Sequence, residues 1–248
     1  MPRGKETRKS VKDQKSGTAQ RRRNTSNVNM NKRSNALSRA RATAHSTAGP
    51  SVPRGFVGAA GDAKFVDTAS ATYAVNTTGS ITHISIIAQG DDVNKRDGKA
   101  CRATSVQVRG AINADTTNTL STYQCALVWD YNPNKALPVI GDIFDSISAF
   151  SFPKRENNKR FKIVKKFYGA IVGNQTTVTT GLETIPVDEY VRLPADANIL
   201  YTAADTTGVI GDVIAGALYW VTMGSNVAGT ADANAVVGFR VNFTDQLS

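Results

Sequence analysis

The first 54 residues hold 14 lysines and arginines against two acids, Glu6 and Asp13, a net charge of +12. Residues 55–248 hold 16 against 18, a net −2, so the +10 of the whole chain belongs to one end of it. From Met1 to about Pro53 the residues are Arg, Lys, Ser, Thr, Asn, Gln and Ala, with almost no large apolar side chain. Such a segment cannot bury enough surface to offset its ordering entropy. The reading is therefore two-part: a disordered basic arm over residues 1–53 and a folded body over 54–248. The arm's charge comes in clusters, at Arg3 and Lys5, Arg8-Lys9, Lys12 and Lys15, Arg21-Arg22-Arg23, Lys32-Arg33, and Arg39 with Arg41. Extended chain of this kind can follow a phosphate backbone. Residues 35–44 could close into a short helix displaying Arg39 and Arg41 once a polyanion neutralises them. The same clusters also suit a nuclear-import signal, Arg21–Arg23 with Lys32-Arg33 being the candidates, or a solubility tail.

After Gly55 the texture changes to short runs of Val, Ile, Thr, Tyr and Phe separated by Gly, Asn, Asp and Pro, the pattern of strands and turns. Strands are predicted near 63–74, 80–88, 101–113, 120–130, 160–172, 187–193, 197–202, 213–223 and 235–244. Val106 and Val108 alternate with Ser105, Gln107 and Arg109, and Phe239, Val241 and Phe243 alternate with Arg240, Asn242 and Thr244. The 213–223 run is apolar throughout, which suits a strand buried on both faces. One segment departs from this: Val139, Ile140, Ile143, Phe144 and Ile147 lie three and four apart after Pro138, predicting a helix of about two to three turns. Antiparallel strands in this number, with one short inserted helix, describe an all-β, two-sheet sandwich, and a single jelly roll is its best-fitting member.

Several functions are set aside by what is missing. No run approaches the roughly 18 apolar residues of a membrane span, and no apolar segment follows the basic N-terminus, so neither membrane insertion nor secretory export is expected. Two cysteines, Cys101 and Cys125, cannot build a disulfide scaffold or a cysteine zinc site, and their strand-like settings predict buried free thiols. His45 lies in the arm, and His83 alternates with Ile84, Ser85 and Ile86 in a predicted strand, a position for a sheet histidine rather than a catalytic one. No phosphate loop, dinucleotide fingerprint, zinc-helix motif or nucleophile elbow is present, so no enzyme is expected.

Two features of the body carry chemistry. Residues 154–166 hold seven cations, Lys154, Arg155, Lys159, Arg160, Lys162, Lys165 and Lys166, against Glu156 alone. In a strand beginning near Arg160, Phe161 and Ile163 would face the core while Arg160 and Lys162 face out, giving a second nucleic-acid contact on an otherwise acidic body. A solvated loop explains the same run, and Phe161, Phe167 and Tyr168 read as core rather than as base-stacking platforms. Asp91, Asp92 and Asp97 with Asn94 form a predicted loop whose hard oxygens could hold calcium, although turn-forming residues account for them without metal.

These stretches carry a resemblance. Ile86–Gly98 (IIAQGDDVNKRDG), followed by Val108-Arg109-Gly110, resembles the coat proteins of satellite necrosis viruses. Val52-Pro53-Arg54-Gly55, Leu127–Asp130 with Pro138 and Ile143-Phe144 beyond, and Lys166-Phe167-Tyr168-Gly169 resemble geminivirus and related circular single-stranded DNA virus coat proteins. The resemblance implies a jelly-roll subunit that assembles into a small icosahedral shell of the T=1 type, about sixty copies, with the basic arm on a single-stranded DNA or RNA genome. It also implies calcium between subunits, with Asp91, Asp92 and Asp245 as weak ligand candidates and no other cofactor. The expected location is the virion, with the host nucleus and its import factors for a DNA genome and the cytoplasm otherwise. The alternatives are a monomeric cellular nucleic-acid-binding protein with a β-sandwich body, or a jelly-roll ligand-binding module.

Overall fold

The computed structural model describes residues 63–114, 120–173, 183–202, 206–227 and 233–245. All of these lie in the second of the chain's two units, Ala59–Ser248. The expected arm, its short helix and its junction with the body lie outside the described residues.

Ten strands follow in order: β1 (Ala63–Val75), β2 (Ser80–His83), β3 (Ala100–Asn113), β4 (Leu120–Asp130), β5 (Phe161–Val172), β6 (Thr184–Arg192), β7 (Asn198–Tyr201), β8 (Val213–Ala215), β9 (Ala217–Gly224) and β10 (Ala233–Asp245). Every ladder is antiparallel. One sheet runs β1-β10-β3-β7-β8, with β6 beside the other half of β3, and the second runs β2-β9-β4-β5. The pairing is nested: β1 with β10, β2 with β9, β3 with β6 and β4 with β5. A long hairpin whose arms are rolled into two sheets gives this order, which is the jelly roll.

The alternation read from the sequence places the core. In β10, Ala235, Val237, Phe239, Val241 and Phe243 are buried against the second sheet. Phe239 meets Trp220 of β9 at 5.3 Å between ring centroids, and Trp220 meets Phe167 of β5 at 5.8 Å, so one aromatic chain spans the gap between the sheets. β9 lies between β2 and β4 and is buried along its whole length. Cys101 and Cys125 are buried free thiols, as expected, and burial pushes the Cys101 thiol up to about 12.

Three expectations are corrected. The apolar 213–223 run is two strands in two different sheets, β8 paired with β7 and β9 paired with β2 and β4. The chain crosses at Gly216, whose φ of +71° and whose approach to Asn198, 1.9 Å from where a Cβ would stand, admit only glycine. The 80–88 strand ends at His83 because the Ser85 hydroxyl accepts the Leu218 N–H at 3.0 Å in place of a backbone carbonyl. The helix, α1, is a single turn, Ile140–Ile143. Beyond it, the Asp145 carboxylate accepts the Phe152 N–H at 3.1 Å, and the Ser151 hydroxyl donates to the carbonyls of Ser146 and Ser148 at 2.6 and 2.8 Å. Short polar side chains thus supply the bonds that a continuing helix would have made.

His83 is buried at the end of β2, its Nε2 2.9 Å from the Ser85 hydroxyl, its Nδ1 without a partner and its ring edge-on to Tyr219. Burial lowers its pKa from 6.5 to about 4. A depressed folded-state pKa makes the neutral ring's contribution complete above about pH 6.5 and loses it as the pH falls toward 4, on the order of 3 kcal/mol in all. Denaturant midpoints measured at pH 7, 5 and 4 should therefore fall more steeply for the native body than for His83→Gln.

Candidate nucleic-acid interface

Residues 131–160, between β4 and β5, fold back over β5 and carry the first part of the basic run, with a 3-10 turn at Arg155–Asn157. The Lys154 amide donates to the Ile143 carbonyl at 2.8 Å and its ammonium to the Gly141 carbonyl at 3.1 Å, which ties the loop to α1. Between loop and strand lies an open cleft of about 460 Å³, lined by Lys154, Asn158 and Lys162 over Tyr131, Phe161 and Ile143. Arg155, Lys159 and Lys162 are exposed and have no ion-pair partner among the described residues. Lysines at this spacing beside a cleft can bind phosphates as point charges without reading sequence.

The other cations of the run are engaged within the body. Asp130 is fully buried at the end of β4, and Arg160 grips both its oxygens at 3.0 Å. That bidentate bond holds the Arg160 guanidinium charged, above its usual range, against the cost of burial. Tyr219 donates to the same carboxylate at 3.5 Å, and the Asn132 amide at 2.9 Å. Register then separates the next two lysines. A bulge at Val164 sets Ile163 opposite Val128 and Lys165 opposite Leu127, so these two face opposite sides of the sheet. Lys165 bridges to Glu189 of β6 at 3.1 Å. Lys166 donates to the Ser151 carbonyl at 3.0 Å with its ammonium over the Phe144 ring, and burial lowers its pKa.

Phe161 is buried as expected, and Phe167 is half-buried against Trp220, but Tyr168 is 63% exposed rather than core. Since β5 is an edge strand, its charges and its bulge also discourage pairing with another sheet, which accounts for part of the run without any ligand.

Asp92 pairs with Lys95 at 2.6 Å, and Asp91 is exposed apart from it in the loop after β2. Asp245 pairs with Lys64 at 2.8 Å, and Lys64 also pairs with Asp97. Burial disfavours the Lys64 charge, but the two carboxylates outweigh it and raise the pKa. An ammonium thus stands between Asp97 and Asp245, and among the described residues no three His, Cys, Asp or Glu side chains gather as a metal site. The sequence reading missed Arg96. Fully buried, it lies 4.0 Å over the Tyr201 ring and donates from Nε to the Ile87 carbonyl at 3.2 Å, fastening the 86–98 loop to the body. An arginine amid Asp, Asn and Lys gives no sign of burial in sequence, because the Ile87 carbonyl and the Tyr201 ring that hold it come from outside its own turn.

A model of the geminivirus coat protein/nuclear export factor BR1 family matches residues 3–248. The chain belongs to this family. Of the two resemblances seen in sequence, the one to the coat proteins of geminivirus-like single-stranded DNA viruses is the one matched. No match is found among curated proteins. The jelly roll is the body of a viral capsid protein, and the coat-protein family is a structural kind.

Removing one partner of a buried pair leaves an uncompensated charge. Arg160→Ala should lower the stability of the body by about 3 kcal/mol in denaturant unfolding, whereas Lys162→Ala should change it by less than about 0.5 kcal/mol.

Proposed function

We propose that this coat protein self-assembles into a small icosahedral shell of the T=1 type, about sixty copies, and packages a single-stranded DNA genome on its basic arm. The observation that carries this reading is the division of charge, +12 on residues 1–54 and −2 on the rest, in a chain of a coat-protein family. Sixty arms would bring roughly 720 positive charges. Adding the net +6 of residues 154–166 gives roughly 1,080, on the order of a one-kilobase to two-kilobase strand when some phosphates keep small ions.

Within this reading, residues 1–53 are the genome-binding arm and residues 54–248 the shell domain. The arm's clusters contact phosphates, Arg21–Arg23 with Lys32-Arg33 also serving entry into the host nucleus, and the protein ends in the virion. In the body, Lys154, Arg155, Lys159 and Lys162 around the cleft form the second contact, while Arg160, Lys165 and Lys166 hold its scaffold. The family's name also covers nuclear export factors. That second reading keeps the nucleic-acid binding and predicts no closed particle.

Binding of single-stranded DNA by the free subunit should weaken with salt at a log–log slope of about −5, for roughly seven phosphates neutralised. Deleting residues 1–53 should remove most of that slope. A slope near zero in the full chain would contradict the electrostatic account, and ligand binding that survives the deletion unchanged would favour a ligand-binding module.

A further inference from the structure

The two sheets differ in what lies on their outer faces. On the β2-β9-β4-β5 sheet, Asp130 and Tyr219 point away from the other sheet yet are fully buried, and Arg160 and Asn132 of residues 131–160 close over that carboxylate. On the other sheet, the alternation that buries Phe239, Val241 and Phe243 turns Gly238, Arg240 and Asn242 of β10 outward. Residues directly opposite each other across a ladder share a face, so Asp67 of β1, Gln107 and Arg109 of β3, and Asp188 and Tyr190 of β6 stand beside them. Arg192 follows two residues after Tyr190, and Arg102 stands opposite Asn198 at the β7 end. This face is open: its four arginines are exposed, and Tyr190 is 61% exposed.

Its charge is opposite to that of the body as a whole. Residues 55–248 are net −2, whereas this face sets Arg102, Arg109, Arg192 and Arg240 against Asp67 and Asp188, a net +2. Both aspartates are held already, Asp67 by two bonds from Arg240 at 2.7 Å and Asp188 by Arg109 at 3.1 Å. Arg102 and Arg192 have no ion-pair partner among the described residues. The acids at the margins are engaged as well: Asp97 and Asp245 by Lys64, Asp92 by Lys95, Glu189 by Lys165 on the opposite side of β6, and Asp196 by the Tyr131 hydroxyl. Asp91 is exposed in the loop whose Val93 carbonyl accepts the Phe65 N–H of β1. That margin is three strand spacings from β6, roughly 14 Å, so the uncompensated positive charge lies on the β3–β6 half, around Tyr190.

We infer that this open face binds single-stranded nucleic acid, with Tyr190 stacking on an unpaired base and Arg192 and Arg102 holding the phosphates on either side. The inference rests on the genome-binding reading above and assigns it a further surface. An exposed ring among guanidinium groups, on a flat sheet, is the chemistry that takes a base by its face and its backbone by charge. A protein partner would want an apolar centre instead, and the exposed large apolar side chains Leu200 and Ile214 stand at the β7–β8 margin, on strands apart from Tyr190. The surface also runs on toward the cleft described above. Lys165 of β5 bridges to Glu189 of β6, and Tyr131, which lines the cleft, reaches Asp196 just beyond β6, so the face and the cleft meet round the β6 edge. Only eight residues, 55–62, separate the basic segment from β1 in this same sheet, so one polyanion could engage both.

The test measures the affinity of the full-length free subunit for oligodeoxythymidylate and for an abasic strand of the same length, which keeps the phosphates and lacks the bases. Native protein, Tyr190→Ser, Tyr190→Phe and Arg192→Gln are compared, with thermal unfolding and sedimentation velocity alongside. Both side chains are mostly exposed, so all four proteins should unfold alike. Tyr190→Ser should bind oligodeoxythymidylate roughly tenfold more weakly and the abasic strand as the native protein does, while Tyr190→Phe should stay near native on both. Arg192→Gln should weaken both strands about equally and reduce the salt slope by about one. Native affinity of Tyr190→Ser for oligodeoxythymidylate, or an equal loss on the abasic strand, would overturn the inference. Impaired assembly of Tyr190→Ser with unchanged DNA affinity would overturn it too, in favour of a second copy on this face. If the native protein binds neither strand, the genome-binding reading fails and the inference falls with it.

Discussion

The body depends on β10 lying between β1 and β3. The last strand of the chain is the inner strand of its sheet, hydrogen-bonded along its whole length to the first strand on one side and to β3 on the other. β1 joins the sheet only through β10, whereas β3 is already paired with β6 and β7, so the sheet is completed only when β10 is in place, and its pairings are almost all distant in sequence. The same insertion sets Ala63, the first residue of β1, opposite Thr244. Lys64, held by Asp97 and Asp245, then fastens β1 to β10 and to the loop after β2 at one place. The first strand of the described body is thus held by its last, β10.

Positive charge is put to different uses along the sequence. In the body, a cation is mostly a structural part: Arg160 neutralises a buried aspartate, Lys165 ties one sheet to the other, Lys166 seats a loop and Arg96 fastens another. Even the outward guanidinium groups of Arg109 and Arg240 are matched by Asp188 and Asp67. Among the cations without an ion-pair partner in the described residues are Arg155, Lys159 and Lys162 near the cleft between β5 and its preceding loop, and the first 54 residues carry a net +12. A body of net −2 and a tail of net +12 suit the proposed shell, in which the bodies would pack against one another and the tails would hold a polyanion.

The strands were legible where one face is wet and the other dry, because β3 and β10 then alternate with period two. They were misread where that signal is absent. The 213–223 run has no polar residue to mark the passage from one sheet to the other, and only Gly216 betrays it. The apolar spacing of residues 139–147 fits a helix, yet Asp145, Ser146, Ser148 and Ser151 supply bonds that end it after one turn. In the basic run, charge was visible but pairing was not, since Asp130, Glu189 and the Ser151 carbonyl come from other strands and loops. The nested topology itself was accessible only as a class, through the number and spacing of strands.

The central claim is a closed, nucleic-acid-filled shell, and sedimentation velocity of the purified full-length protein, recorded at both 260 and 280 nm, tests it most directly. The account predicts one fast boundary of megadalton mass with excess absorbance at 260 nm. A slow boundary at about 26 kDa in both low and moderate salt would contradict it.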